Sequence, residues 1–361
     1  MSRLNWIDQP SEVRSGEQID LRSLQSYLET RLPEAKGTIR IEQFPSGYSN
    51  LTYLIHVGPD QFVLRRPPIG AKIKSAHDMG REFRILSALS QTYDKAPEPL
   101  LYCEDEAVIG APFYMMERVE GIILRSKMPK EMRPSPEDMS QIASALVKTF
   151  AELHAVDYEA CGLGQLGRPE GYVERQVSGW TKRYYAAKTD EVPQIEKAAQ
   201  WLADNMPSQT SASLIHNDFK YDNVVLDKSD WSQIIAVLDW EMSTLGDPLM
   251  DLGTSIGYWV NRNDPDWMQQ LALSPTTLEG NPSRSEFVEM YARESGRDVG
   301  PIVFYYVYGI FKIAVITQQI YARYQKGLTQ DKRFARLIDA VKGLGVMALQ
   351  AIQHRRIDDL F

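Results

Sequence analysis

The 361-residue chain predicts an α+β fold, a small antiparallel β-rich lobe followed by a larger, mainly helical lobe. Short strand signals set off by Gly, Pro and Ser turns crowd the first third of the chain, whereas beyond Gly121 the apolar residues recur at helical spacing. The helical part is interrupted once, where two short aliphatic runs between residues 224 and 238 read as a β-hairpin. With 43% hydrophobic residues, a chain of this length can bury a large core.

Taken in order, residues 1–18 read as a polar arm, and 20–32 as an amphipathic helix with Leu21, Leu24, Tyr27, Leu28 and Leu32 on its apolar face. Residues 39–44, 51–57 and 62–66 read as three antiparallel strands. A helix over 76–89 sets Met79, Phe83, Leu86 and Leu89 on one side, and strands over 100–104 and 113–117 complete a small lobe spanning 19–116. Residues 117–121 change from apolar to charged and end in Gly, as a hinge would; 122–361 form the helical lobe. Its helices are expected over 136–154, 172–187, 193–206, 247–259, 284–294, 301–324 and 332–355, with no internal repeat.

A formal charge of −8 with no block of Lys and Arg argues against nucleic acid as a general partner. Cys103 and Cys161 lie far apart and outside any CxxC, so neither a disulfide framework nor a zinc site is expected. The first residues lack an apolar signal core, and the most apolar later run, 304–316, is too short to cross a bilayer and contains Lys312. No membrane partner is expected, and the expected location is the cytoplasm.

The most informative stretch is LIHNDFKYDNVVLD at 214–227, followed by Asp239-Trp240-Glu241. In His216-x-Asp218-x4-Asn223 the Asp can orient and deprotonate an acceptor hydroxyl, the Asn can ligate Mg²⁺, and Asp239 can ligate the metal that bridges a triphosphate. Carboxylate and amide oxygens suit that hard cation. The aliphatic runs 214–215, 224–226 and 234–238 make the loop and Asp239 neighbours across a hairpin, with 227–230 as its turn. Lys220 is placed to steady a transferring phosphate, or is an ordinary exposed lysine, and His216 to position the loop. In the first lobe, the turn containing Gly47, Tyr48, Ser49 and Asn50 is either a plain hairpin or a loop whose backbone amides cover phosphates.

Together, the motifs GREFRIL, PFYMMERVEG, GRPEGYVERQVSGW, HNDFKYDN and LDWEMSTLGDPLMDLG resemble the aminoglycoside phosphotransferase/choline kinase group of small-molecule kinases, over about residues 38–345. Within it they are most similar to the kinase-like domains associated with acyl-CoA dehydrogenases. The resemblance implies a bilobal protein-kinase-like fold, ATP and Mg²⁺ as cofactors, and a small-molecule hydroxyl as acceptor. It implies that Arg65 takes the place of the usual phosphate-pairing Lys, with Glu82 as its partner. It further implies that backbone groups of Glu117 and Val119 meet the adenine edge, that Met115 or Met116 lines the base, and that Asp251 bonds the backbone of the catalytic loop. The chain departs from protein kinases in lacking GxGxxG, a long activation segment and Ala-Pro-Glu. The segment 301–324 is rich in aromatics, carries Lys312 and Arg323 and has no Asp or Glu, which leans towards an acyl or anionic acceptor such as a hydroxyacyl-CoA. An aminoglycoside or choline-type acceptor, and a nucleotide-binding pseudokinase role, stand as alternatives.

Overall fold

Strand and helix punctuation in the sequence is realised almost residue for residue in the structure, a computed structural model that describes residues 9–44, 50–68, 78–126, 128–208 and 211–361. Helix α1 (Leu21–Arg31) begins where the Asp20 carboxylate accepts from the amides of Arg22 and Ser23, satisfying donors that a helix start leaves open. Strands β1 (Ile39–Gln43), β2 (Leu51–Val57) and β3 (Asp60–Arg66) follow, then α2 (Met79–Leu89), β4 (Pro99–Cys103), α3 (Glu106–Ile109) and β5 (Phe113–Glu117). The five strands form one antiparallel sheet in the order β1-β2-β3-β5-β4. Alternation along β5 divides its residues between the two faces. Phe113 and Met115 join Leu24, Leu28, Tyr53 and Leu64 in the core under α1, which leaves Tyr114 and Met116 to the opposite face.

The helical part comprises α4 (Pro136–His154), α5 (Tyr172–Ala187), α6 (Pro193–Asp204), α7 (Pro248–Gly257), α8 (Asp266–Gln269), α9 (Arg284–Ser295), α10 (Ile302–Gln325) and α11 (Leu337–His354). Between α6 and α7 lie four short strands, β6 (Ser213–Ile215), β7 (Val224–Leu226), β8 (Ile234–Val237) and β9 (Thr244–Gly246). The expected hairpin is the antiparallel pair β7–β8. A pairing that the sequence reading did not anticipate joins β6 to β9, so the entrance to the 216–223 loop is fixed from a segment that follows Asp239 in the chain.

The chain divides into two compact units, one of Met1–Ile123 with Glu159–Leu163 and Val224–Met242, the other of Leu124–Tyr158, Gly164–Asn223 and Ser243–Phe361. A linear cut at the hinge therefore does not describe it. The β7–β8 hairpin packs with the first unit because Ile122 and Leu226 exchange backbone hydrogen bonds of 2.9 and 2.8 Å, and the Val237 amide donates to the Lys95 carbonyl at 2.7 Å. Gly121 permits this approach, since a Cβ there would stand 2.3 Å from the Leu226 carbonyl oxygen.

In the second unit α10 packs against α5, α6, α7 and α11. The run around 304–316, read from the sequence as too short for a bilayer, lies in a 24-residue helix that is long and apolar enough to cross one; 67% of its most apolar window is buried inside the fold. Glycines let α7 and α10 cross closely, for a Cβ on Gly309 would meet the Gly253 carbonyl oxygen at 2.0 Å. Gly309→Ala is therefore expected to cost about 1–3 kcal/mol through overpacking, read as a lower urea midpoint at unchanged slope; an unchanged midpoint would show that the two helices can part without loss.

Candidate active site

The loop that leaves β6 at His216 is pinned by one carboxylate. Asp251, on α7 and wholly buried, accepts from the backbone amides of His216 at 2.6 Å and Asn217 at 2.8 Å, and its Oδ2 lies 3.2 Å from Nε2 of His154. Burial works against ionisation of Asp251, but His154, His216 and the His216 amide outweigh it and hold the carboxyl below its ordinary range. Burial pushes His154 the other way, below its ordinary value, and its Nδ1 meets the Tyr291 hydroxyl at 2.7 Å. Asn217 has φ of 67°, a left-handed conformation that a non-glycine residue keeps only when its surroundings hold it. Asp251→Asn removes a charged acceptor from two amides. The expected loss is about 1.5–3 kcal/mol of stability, with kcat falling and the nucleotide Kd steady; an equal fall in both would place Asp251 elsewhere in the mechanism.

Downstream of this clamp, the Asp218 carboxylate receives Nζ of Lys220 and Nδ2 of Asn223 at 2.9 Å. Asn223 also donates from Nδ2 to the Asp218 carbonyl at 2.8 Å. Both bonds use the amide nitrogen, which leaves Oδ1 as the atom a cation would take. The side chain of Asp218 is 20% exposed, so it is reachable by solute while its orientation is fixed by the loop.

A second cluster belongs to the first unit. Arg65, on β3, donates to Oε1 of Glu82 on α2 at 2.5 Å and to Oδ1 of Asp239 at 2.9 Å, with Oε2 of Glu241 at 3.7 Å. Burial opposes the charge on Arg65, but Glu82, Tyr114, Asp239 and Glu241 more than restore it and raise its pKa well above the ordinary value. Burial raises the Glu82 pKa, and the attraction of Arg65 only partly offsets this. One guanidinium thus meets three carboxyl groups, Glu82, Asp239 and Glu241. Asp239 follows β8 with φ of 68° and sits 32% exposed. Its carboxylate is a hard donor of the kind Mg²⁺ takes, as is the amide oxygen of Asn223. Among the described residues no cluster of three or more His, Cys, Asp or Glu is arranged to hold a metal.

Residues 40–287 match the family model APH, the phosphotransferase enzyme family. The chain belongs to this family. Acyl-CoA dehydrogenase family member 11 of Gallus gallus is 35% identical over 368 residues, covering 97% of this chain and 47% of that protein. The chain thus spans about half the length of the curated relatives it matches. Among solved structures, a Ralstonia eutropha JMP134 protein assigned to the aminoglycoside phosphotransferases is similar with a TM-score of 0.78 at 28% identity, over 93% of this chain and 99% of that one. A choline kinase from Cryptosporidium parvum shares the fold at a TM-score of 0.66 and 12% identity, over 94% and 98%. A thermostable aminoglycoside phosphotransferase APH(4)-Ia in ternary complex with AMP-PNP and hygromycin B matches at 0.55 and 19%, over 88% and 98%. The protein-kinase-like fold expected from the sequence motifs is therefore present, and family and fold together support small-molecule kinase activity.

Within this phosphotransferase, the residues anticipated from sequence fall into distinct groups. His216, Asp218, Lys220 and Asn223 are brought together in one loop, and Arg65, Glu82 and Asp239 in one cluster. Gly47, Tyr48 and Ser49 lie outside the described residues. The buried side chain of Asn50 donates to Oε2 of Glu241 at 2.5 Å, which ties the end of this turn to the Arg65 cluster. Of the expected adenine contacts, the Glu117 amide is taken by the Glu98 carbonyl at 2.9 Å, leaving the Glu117 carbonyl and the Val119 amide for a base; Met116 is buried on the β5 face opposite the α1 core. Sequence reasoning missed Glu241 and Arg81. Glu241 closes the Arg65 cluster, and its carbonyl accepts from Arg81 Nη1 at 3.2 Å. Its place two residues after Asp239 was the available signal.

Proposed function

We propose that this phosphotransferase moves the γ-phosphoryl group of ATP to a hydroxyl of a small molecule. The observation that carries the reading is the Asp218 carboxylate, reachable by solute, aimed by Asn223 and Lys220 and set on a loop whose backbone is pinned at His216 and Asn217. The acceptor oxygen forms a bond to the γ-phosphorus while the bond to the bridging oxygen breaks and ADP leaves; the hydroxyl proton passes to Asp218. Lys220 neutralises charge on the group in flight. Arg65, kept cationic by its carboxylate neighbours, holds phosphate oxygens. Asn223 Oδ1 and the Asp239 carboxylate would each offer a hard oxygen to Mg²⁺, which would supply charge neutralisation on the triphosphate. The transition state is loose, so positioning and charge carry most of the catalysis.

The acceptor class favoured is a hydroxyacyl-CoA. Helix α10 carries aromatics and Arg323 and no carboxylate, where a polycationic aminoglycoside would need acidic partners, and the curated relatives carry acyl-CoA dehydrogenase names. The proposed location is the cytoplasm. The test is Mg-ATP-dependent ADP release across hydroxyacyl-CoAs, choline, ethanolamine, sugars and aminoglycosides. Release is expected with a hydroxyacyl-CoA; release with choline or an aminoglycoside alone would reassign the acceptor. Nucleotide binding with silence across the panel would point to a pseudokinase.

A further inference from the structure

We propose that Lys312 is a positioning residue for phosphoryl transfer, fixing through the Asn217 carbonyl the peptide that presents Asp218. The proposal rests on the transfer reading above. Lysine in the middle of a core helix has no structural rationale of its own, since an ammonium is costly to bury and an apolar side chain would pack as well. Lys312 is 2% exposed on α10, and its Nζ donates to the Asn217 carbonyl oxygen at 3.1 Å. Among the described residues that carbonyl is its hydrogen-bond acceptor, so the ammonium keeps donors in reserve.

Asn217 is gripped by three helices at once. Asp251 of α7 takes its amide, Lys312 of α10 its carbonyl, and the Tyr172 hydroxyl of α5 lies 3.4 Å from its side chain. The left-handed backbone at Asn217 is the price of turning the chain so that the next residue, Asp218, faces outward. The close glycine crossing of α7 and α10 sets Asp251 and Lys312 on the same peptide unit and its neighbour. Lys312 is thus the cationic half of the clamp whose anionic half is Asp251.

The surroundings make this half sensitive to pH. Burial lowers the Lys312 pKa to about 8, against partial restoration by Asp251 and Asp218. The charged groups facing it are Asp251 from α7, Asp218 and Lys220 from the catalytic loop, and Arg183 from α5; the Trp180 ring lies 5.9 Å from Nζ. Below pH 8 the folded protein holds a buried ammonium at a cost. Between there and the ordinary lysine range the unfolded chain binds the extra proton and the folded one does not, so this residue makes stability rise with pH. A residue kept for packing would not carry that cost.

The test is Lys312→Met and Lys312→Arg, each assayed with Mg-ATP and the most active acceptor of the panel, from pH 6 to 10, alongside thermal melts. The wild type is expected to lose kcat on an alkaline limb near pH 8. Lys312→Met should lower kcat roughly ten- to hundredfold, the equivalent of one charge-assisted hydrogen bond, abolish the limb, leave the KM for ATP unchanged, and raise Tm at pH 7. Lys312→Arg, charged throughout, should retain more activity and also lose the limb. An unchanged kcat and limb in Lys312→Met overturns the assignment, as does a variant that is less stable at pH 7 with its remaining turnover following the wild-type profile. Should Lys312→Met not fold, the Lys312→Arg profile decides alone. Absence of acceptor-dependent ADP release from the wild type at every pH defeats the transfer reading and Lys312 with it, whereas wild-type turnover with an unmoved limb defeats Lys312 only.

Discussion

Replacing Asp218 by Asn is expected to leave nucleotide affinity at the wild-type level and lower turnover by about two to four orders of magnitude, the range of a lost general base. The substitution is nearly isosteric. It keeps the oxygen that Asn223 Nδ2 reaches at 2.9 Å and removes the negative charge that Lys220 meets. The loop itself should not move, because its anchors are backbone amides on Asp251 rather than the Asp218 side chain. Calorimetric titration with AMP-PNP and a single-turnover assay separate the two effects. Turnover within a few-fold of wild type would remove Asp218 from the proton transfer, and a parallel loss of AMP-PNP binding would show that it serves the nucleotide instead.

Arg65→Met should have the second-largest effect, and it should be felt in both stability and nucleotide binding. Taking away one member of a buried charge pair costs about 3–5 kcal/mol because the other is left uncompensated, and here the buried Glu82 loses its 2.5 Å partner while Asp239 and Glu241 lose one contact each. The pH dependence has a definite sign. Without Arg65 the buried Glu82 carboxyl rises further above its unfolded value, so the folded form binds more protons and the variant recovers stability on acidification. In the wild type burial already raises Glu82. Urea unfolding between pH 5 and 8 should therefore show the deficit of Arg65→Met widening as pH rises; a constant deficit would mean that the carboxylates relax into solvent. Arg65→Lys is the informative control, since the position resembles one where kinases carry lysine. A lysine has one compact charge and cannot bridge Glu82 and Asp239 in the forked manner of the guanidinium, so partial rescue is expected.

Short-range signals made most of the fold legible. Asp20, Asp78, Ser135, Asp247 and Ser283 each cap the helix that follows them, and α4 and α5 have the bounds that their apolar spacing predicts. The loop residues Asp218, Lys220 and Asn223 were legible because their partners sit within a few positions of one another. Contacts made across the chain were not. The Asn50–Glu241 bond joins residues 191 apart, and nothing local to Asn50 points to a partner at that separation. Lys312 read from sequence as a hint about the acceptor; only the crossing of α7 and α10 turns it towards the Asn217 carbonyl. The β6–β9 pairing escaped for a related reason, since three-residue strands carry almost no periodicity and are defined by the partner they find. The hairpin was foreseen, but its place with the first unit depends on the close approach at Gly121.

The central claim is that the γ-phosphoryl group goes directly from ATP to an acceptor hydroxyl with Asp218 as base. Phosphorus NMR of a reaction containing Mg-ATP and a hydroxyacyl-CoA tests it most directly. The expected spectrum shows a new phosphate-ester resonance growing in equal amount to ADP, absent with Asp218→Asn. ADP accompanied only by inorganic phosphate, or an ester formed equally by the Asp218→Asn variant, would contradict the account.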